Sequence, residues 1–259
     1  MPKKNKQKGK VSTKKERIIV SKNGPYLVSG SLPLAKATII NDKAGDALEW
    51  SVAEEIPVQG TYALCRCGKS KCKPFCDGTH VKADFDGLET ASRDPYSKQA
   101  EVETGPGICL SDAQRLCAGS RFCHREGGIW HLLKKSADPK IKKIVTEEAS
   151  NCASGRLVAA DKKTGKPIEP ILKKAVHLVE DPIKGLSGPL RVTGGVRLES
   201  ASGEKYETRN RVTLCRCGES RNKPFCDASH VARKFKAIYS HIEKGTQPSS
   251  ARSRQVPLC

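Results

Sequence analysis

The chain has 259 residues, with 47 Lys and Arg against 28 Asp and Glu, for a formal charge of +19. This length fits two or three small domains better than one, and 5% aromatics with a single Met argue against one large aromatic-rich core. No apolar run approaches the ~18 residues of a membrane helix. The N-terminal stretch reads as lacking a secretion signal, so the twelve cysteines are expected to be metal ligands rather than disulfide partners.

In chain order, residues 1–17 hold eight basic residues and one acidic, a net +7, and are expected to be disordered. Residues 18–98 and 182–243 form two copies of an internal repeat. One copy opens on GPYLVSGSLPL and closes on LCRCGKSKCKPFCDGTH; the other opens on GPLRVTGGVRL and closes on LCRCGESRNKPFCDASH. Gly24 to Cys65 spans 41 residues and Gly188 to Cys215 only 27, so the first copy carries about fourteen more, around Ile40 to Glu55. Alternating Tyr26, Val28 and Leu32, then Val192, Val196 and Leu198, predict short antiparallel strands. Further strands are predicted at Thr61 to Leu64 and Arg211 to Leu214, each leading into a Cys-Arg-Cys.

Residues 99–181 read as a small α+β domain. Ser111 followed by Gln114 is a capping-box signature for a helix toward Cys117. Asp138-Pro139 starts a second helix, with Ile141, Ile144 and Val145 at helical spacing and an end near Ser150. Arg156 to Ala160, a Lys162-Lys163-Thr164-Gly165 turn and Pro167 to Leu172 predict a β-hairpin. Residues 244–259 are Ser- and Arg-rich and expected to be loose.

Each repeat ends in C-x-C-x8-C-x3-H: Cys65, Cys67, Cys76 and His80, then Cys215, Cys217, Cys226 and His230. Cysteines two apart on extended chain share a face, so two thiolates can clamp one iron. A Cys and a His four apart share a face of a helical turn and can hold a second. Pro74 and Pro224 suit a bend joining the pairs, and Asp77 and Asp227 can cap the turn that follows. Cys72 aligns with Asn222 and is therefore not a ligand. Spacing alone leaves a tetrahedral Cys3His zinc site as the alternative.

The repeated segment resembles the CDGSH iron–sulfur domain (mitoNEET-like) family, whose pattern is C-x-C-x2-[ST]-x3-P-x-C-D-G-[SAT]-H. The first copy matches throughout, at Ser70, Pro74, Cys76, Asp77, Gly78, Thr79 and His80. The second has Ala228 in place of the Gly, a position that is strained for Ala if it needs positive φ. The resemblance implies one [2Fe-2S] cluster per motif, held by three Cys and one His. It also implies a small β-rich fold in which two motifs pair about a two-fold axis. Two copies in one chain can supply that pair internally, giving an α+β, β-rich monomer built as an intramolecular pseudo-dimer with the α+β domain between its modules.

Cys117-x5-Cys123, with Cys152-Ala-Ser-Gly-Arg-Leu far downstream, resembles a short single-cluster ferredoxin. Three cysteines suit a [3Fe-4S] cluster, or a [4Fe-4S] cluster with a different fourth contact from Cys109 or His124. The other reading leaves them as buried apolar residues.

The charge also bears on function. The tail accounts for +7 and the rest for +12. Arg66, Lys69, Lys71 and Lys73 flank one motif and Arg216, Arg221 and Lys223 the other, where they can offset cluster charge and steer acidic redox partners or apo iron–sulfur acceptor proteins. A basic nucleic-acid-binding protein with structural zinc is the competing class, but no aromatic RNA-binding strand or helix-turn-helix signature accompanies the charge. His124, His131, His177 and His241 lie in no catalytic motif. The expectation is a cytoplasmic, non-enzymatic carrier of electrons or clusters.

Overall fold

The computed structural model describes residues 15–239; the expectations for residues 1–14 and 244–259 lie outside this range. The first copy forms β1 (Arg17–Val20), β2 (Tyr26–Ser29), β3 (Leu34–Asn41), β4 (Ala47–Ile56), β5 (Tyr62–Leu64) and a single turn, α1 (Thr79–Lys82). The middle of the chain forms α2 (Tyr96–Gln99), β6 (Glu101–Thr104), β7 (Ile108–Asp112), α3 (Ile129–Leu133), α4 (Pro139–Asn151) and β8 (Leu157–Asp161). The second copy forms β9 (Ala175–Asp181), β10 (Leu186–Thr193), β11 (Arg197–Ser200), β12 (Arg211–Leu214) and the turn α5 (Ser229–Ala232).

The two copies build two sheets by exchanging a strand. One sheet runs β11-β1-β2-β5 and the other β12-β10-β9-β3-β4. The first has three strands of the first copy and β11 lent by the second; the other has three strands of the second copy and the β3-β4 pair lent by the first; β11 and β3 pair in parallel with their hosts β1 and β9. Ile18 faces Leu198 in one sheet, and Leu34 faces Val176 in the other. Leu34 and Leu198 occupy the same place in the repeat, so the exchange obeys an internal pseudo-two-fold. The remaining pairings repeat too, with Tyr26 opposite Leu64 and Leu190 opposite Leu214.

Period-2 patterning directs these strands inward. Tyr26 and Val28 are buried while Leu27 and Ser29 are half-buried, and one core joins Ile18, Val28 and Leu34 to Val176, Val192 and Leu198. Neither copy closes this core alone. Each fully buried aliphatic side chain contributes about 1.5–3 kcal/mol, and these contacts run between copies as much as within them. Arg17, assigned from sequence to the basic tail, is the first residue of β1 and its Nη1 lies 3.1 Å from Glu199 Oε2 on β11.

The surplus residues of the first copy are the end of β3 and most of β4, which pairs with β3 at the sheet edge. They reach the central domain. Trp50 stacks on Phe122 with centroids 4.7 Å apart, its Nε1 donates to Asn151 O at 3.1 Å, and the Arg191 guanidinium lies 4.9 Å from its ring centre.

The central domain is an antiparallel β6-β7-β8 sheet packed on α3 and α4 through Leu110, Ile129, Leu133, Val145 and Leu157. Asp138 caps α4, accepting from Lys140 N at 2.7 Å and Ile141 N at 3.4 Å. The helix expected at Ser111 does not form. Ser111 pairs with Val102 and Val158 inside the sheet, and only a 3-10 turn, Gln114–Leu116, follows. A ladder on both sides of β7 outweighs the local capping signal. The predicted hairpin is half made: β8 and its turn form, and the return strand is a single bridge from Ala160 to Pro167, because Pro170 has no N–H to extend a ladder. β9 falls within 99–181 by sequence yet belongs to the second copy's sheet, paired with β10 and β3. Among the described residues no helix is long and apolar enough to cross a membrane.

Candidate iron–sulfur sites

Each cysteine motif begins where β5 or β12 ends. The chain then turns back on the strand: Cys65 N–H donates to Pro74 O at 2.8 Å and Cys76 N–H to Ala63 O at 3.0 Å. The second copy repeats this with Cys215 to Pro224 O at 2.9 Å and Cys226 to Thr213 O at 2.9 Å. The Lys73–Pro74 and Lys223–Pro224 peptides are cis, so both prolines do mark the bend. Ser70 and Ser220 fasten the loop from inside, each donating its hydroxyl 2.7 Å to the carbonyl of Phe75 or Phe225.

Asp77 and Asp227 staple this loop to the helical turn. Asp77 accepts from Lys71 N at 2.7 Å and Thr79 N at 3.0 Å; Asp227 accepts from Arg221 N at 2.9 Å and Ser229 N at 3.0 Å. Burial pushes the Asp77 carboxyl up, but these hydrogen bonds outweigh it and hold its pKa at about 2. The next residue starts the turn in the left-handed region, Gly78 at φ 82° and Ala228 at φ 67°.

The predicted ligands are thereby brought together in pairs. Cys65 and Cys67 sulfurs lie 3.8 Å apart and Cys215 and Cys217 3.6 Å. Cys76 Sγ lies 3.3 Å from His80 Nδ1, and Cys226 Sγ 3.5 Å from His230 Nδ1. In each cysteine pair one thiol donates to the other. The Cys65 hydrogen bond draws Cys67 down to about 6, while the same bond and burial push Cys65 up. Cys215 takes the low role in the second copy, at about 6. One thiol of each pair therefore ionises readily, the form that binds metal. Burial, with Arg216 nearby, lowers His230 to about 4 and keeps its imidazole neutral, as ligation requires. Each motif's donors are brought into two pairs, Cys with Cys and Cys with His, a set that can hold a two-iron cluster.

The two sites meet across the pseudo-two-fold. A methyl group on Gly68 would strike the Cys217 carbonyl, and one on Gly218 the Cys67 carbonyl. Arg66 and Arg216, expected from sequence to steer partners, are instead buried. Arg66 donates to Ser21 O at 2.8 Å and to Gly87 O; Arg216 donates to Gly188 O at 2.6 Å, Val179 O at 2.8 Å and Glu180 at 2.8 Å. They brace the loops from behind.

In the central domain Cys117, Cys123 and Cys152 line one cavity together with Ser120, Ser154 and Arg156. Burial pushes the Cys123 thiol up to about 12, so this site needs positive charge to hold thiolates. Arg156 lines the cavity, and Arg211, itself buried, donates to Cys152 O at 2.8 Å. Buried Arg191, whose Nε has no hydrogen-bond partner, is drawn to Cys152 electrostatically. A cavity walled by three sulfurs, with the half-buried Arg121 and Arg156 in its lining, fits an anionic cluster. Cys109 lies elsewhere, on β7 beside Thr104, and neither it nor His124 lines this cavity.

The cavity abuts the second repeat site. Ala118 and Ala153, next in sequence to Cys117 and Cys152, form one buried cluster with Cys226. Sequence reasoning missed this contact and also Tyr26, whose hydroxyl crosses from the first copy to donate to Cys215 O at 2.8 Å and Pro224 O at 3.0 Å. The only signal was Leu190 at the equivalent place in the other copy.

These centres define an iron–sulfur protein. The family model described as iron-binding zinc finger, CDGSH type, matches residues 23–81 and 187–231, and that of the divergent 4Fe-4S mono-cluster matches residues 103–162. The chain has the tandem CDGSH layout with a ferredoxin-like segment at its centre. No curated protein and no solved structure matches it.

Proposed function

We propose that this chain is an electron carrier with three iron–sulfur centres: a [2Fe-2S] cluster held by Cys65, Cys67, Cys76 and His80, another by Cys215, Cys217, Cys226 and His230, and a [4Fe-4S] or [3Fe-4S] cluster held by Cys117, Cys123 and Cys152. Such clusters supply one-electron couples whose potentials follow ligand charge and hydrogen bonding. One observation carries the reading: the three sites are contiguous. The central cavity touches Cys226 through Ala118 and Ala153, and the two Cys-Arg-Cys loops touch each other. Contiguity serves electron passage, and a chain built only to give clusters away would not need it.

The protein's own residues fix each donor set. Asp77 and Asp227 hold the turn that carries the His, Ser70 and Ser220 hold the loop that carries the cysteines, and Tyr26 ties one copy to the other's loop. The chain acts on other proteins, acidic redox partners or apo acceptors, in the cytoplasm, as a monomer and without converting a substrate of its own. Iron and sulfide counted per chain after anaerobic purification test the cofactor set. Seven or eight irons support three centres, four leave the central cavity without one, and zinc alone ends the proposal. Rapid reduction of all centres by one chemical reductant, followed by visible absorbance and EPR, tests the carriage.

A further inference from the structure

Cys109 and His124, the expected fourth contacts of a central [4Fe-4S] cluster, do not line the cavity. Among the described residues in its wall, the side chains besides the three cysteines that can bind iron are Ser120 and Ser154. Ser154 is engaged: its Oγ accepts from Arg156 N at 3.2 Å and lies 3.9 Å from Cys152 Sγ. An oxygen that close to one ligand sulfur is too near it to serve a separate iron. Ser120 is different. It is 8% exposed, and among the described residues its hydroxyl has no hydrogen-bond partner, neither an oxygen nor a cysteine sulfur. A side-chain hydroxyl that deep in a protein is normally paired.

Spacing and backbone point the same way. Residues 117–123 read Cys-Ala-Gly-Ser-Arg-Phe-Cys. Cys117, Ser120 and Cys123 therefore follow at intervals of three, which is the C-x2-C-x2-C interval of iron–sulfur loops with an oxygen at its centre. Gly119 and Arg121 are both left-handed, at φ 68° and 63°, and curl the loop on either side of Ser120. Both neighbours are fixed. A methyl on Gly119 would lie 3.3 Å from Ala228 Cβ, so the loop packs closely on the turn of the second repeat. Arg121 is paired with Asp181, Nη1 to Oδ2 at 2.5 Å and Nη2 to Oδ1 at 3.2 Å. The backbone that carries the hydroxyl is thus pinned at the cavity wall.

We infer that Ser120 Oγ is the fourth protein ligand of the central centre, which is then a [4Fe-4S] cluster with one iron held by oxygen. The hydroxyl proton passes to solvent as the Fe–O bond forms. Oxygen is a harder donor than thiolate, and iron–sulfur clusters favour soft ligands, so this iron is the first to leave. A one-electron oxidant takes [4Fe-4S]2+ to [3Fe-4S]+ with release of one Fe2+, and Ser120 takes back a proton. The inference rests on the central-cluster reading above and adds the ligand that decides between its two forms.

The test uses the full chain loaded anaerobically with iron and sulfide, then treated with ferricyanide. Metal analysis counts the irons, and EPR follows the signal of oxidised [3Fe-4S]. The parent is expected to hold eight irons per chain and to form that signal only after oxidation. Ser120→Ala should hold seven, or form the signal at least tenfold faster. Ser120→Cys, with a thiolate at the same place, should keep eight and form it at least tenfold more slowly than the parent. If Ser120→Ala loses the whole cluster or fails to fold, Ser120→Cys decides alone. A parent with seven irons, a Ser120→Ala that keeps eight as firmly as the parent, or a Ser120→Cys oxidised at the parent's rate would overturn the ligand and leave the carrier reading standing. A parent with four irons removes the central cluster from that reading, and the Ser120 assignment falls with it.

Discussion

Gly68 in the first cysteine loop lies against the backbone carbonyl of Cys217 in the second, and Gly218 returns the contact on Cys67. Both glycines have positive φ, 73° and 86°, so a side chain there is opposed by the backbone conformation and by the facing loop. Gly68→Ala and Gly218→Ala should each cost on the order of 1–3 kcal/mol. Because the contact lies between the sites, either change should lower the iron content of both. Thermal unfolding with iron analysis reads this, and a melt like the parent's would contradict the back-to-back arrangement.

Ala228 holds the left-handed conformation that Gly78 holds in the first copy. A left-handed residue with a Cβ costs roughly 1–2 kcal/mol. Ala228→Gly should therefore stabilise the protein by about 0.5–1 kcal/mol, and Gly78→Ala should destabilise it by a similar amount. Nothing lies within 4 Å of a methyl added at Gly78, so that loss would report φ alone. Chemical denaturation midpoints of the two variants should move in opposite directions.

Glu148 on α4 is fully buried, and neither carboxylate oxygen has a hydrogen-bond partner. Burial raises its pKa to about 8, against a smaller opposing effect of Arg125. In the unfolded chain a Glu loses its proton near pH 4.3. Between these values the folded protein holds the extra proton, so this group makes stability fall as pH rises from about 4 to 8. Glu148→Gln should add on the order of 2 kcal/mol at pH 8 and almost nothing near pH 4. Denaturant midpoints of parent and variant at the two pH values check it; a gap independent of pH would mean that the carboxyl is charged throughout.

A neutral imidazole in place of a thiolate makes each repeat site less negative. His80→Cys and His230→Cys should lower the potential of the altered site by roughly 100–300 mV, about half the effect of two histidines, and weaken its dependence on pH. Protein-film voltammetry across pH reads both quantities. Unchanged potentials in both variants would remove the histidines from the ligand set.

Much of the site was legible because its chemistry is local. The C-x-C-x8-C-x3-H spacing, the Asp that staples the turn and the Pro at the bend act within sixteen residues. Asp138-Pro139 marked α4 for the same reason. What escaped was set at a distance. Ser111 and Gln114 satisfy a helix-capping pattern, but β6 and β8 take their segment into a sheet. The parallel pairing of Ile18 with Leu198 leaves no mark on either strand. Nor does the sequence say that Thr90 and Tyr26 close over the second loop, since those contacts span 131 and 189 residues.

The exchange of strands has a consequence for how the molecule is made. During synthesis β1 and β3 emerge long before β11 and β9, their parallel neighbours, leave the ribosome. Until then the nascent chain carries two unpaired sheet edges, which are templates for association with other chains. A product terminated in the central domain would keep those edges for good. Neither sheet can be completed until the second copy has been made, and cells making this protein should need a chaperone's protection early rather than late.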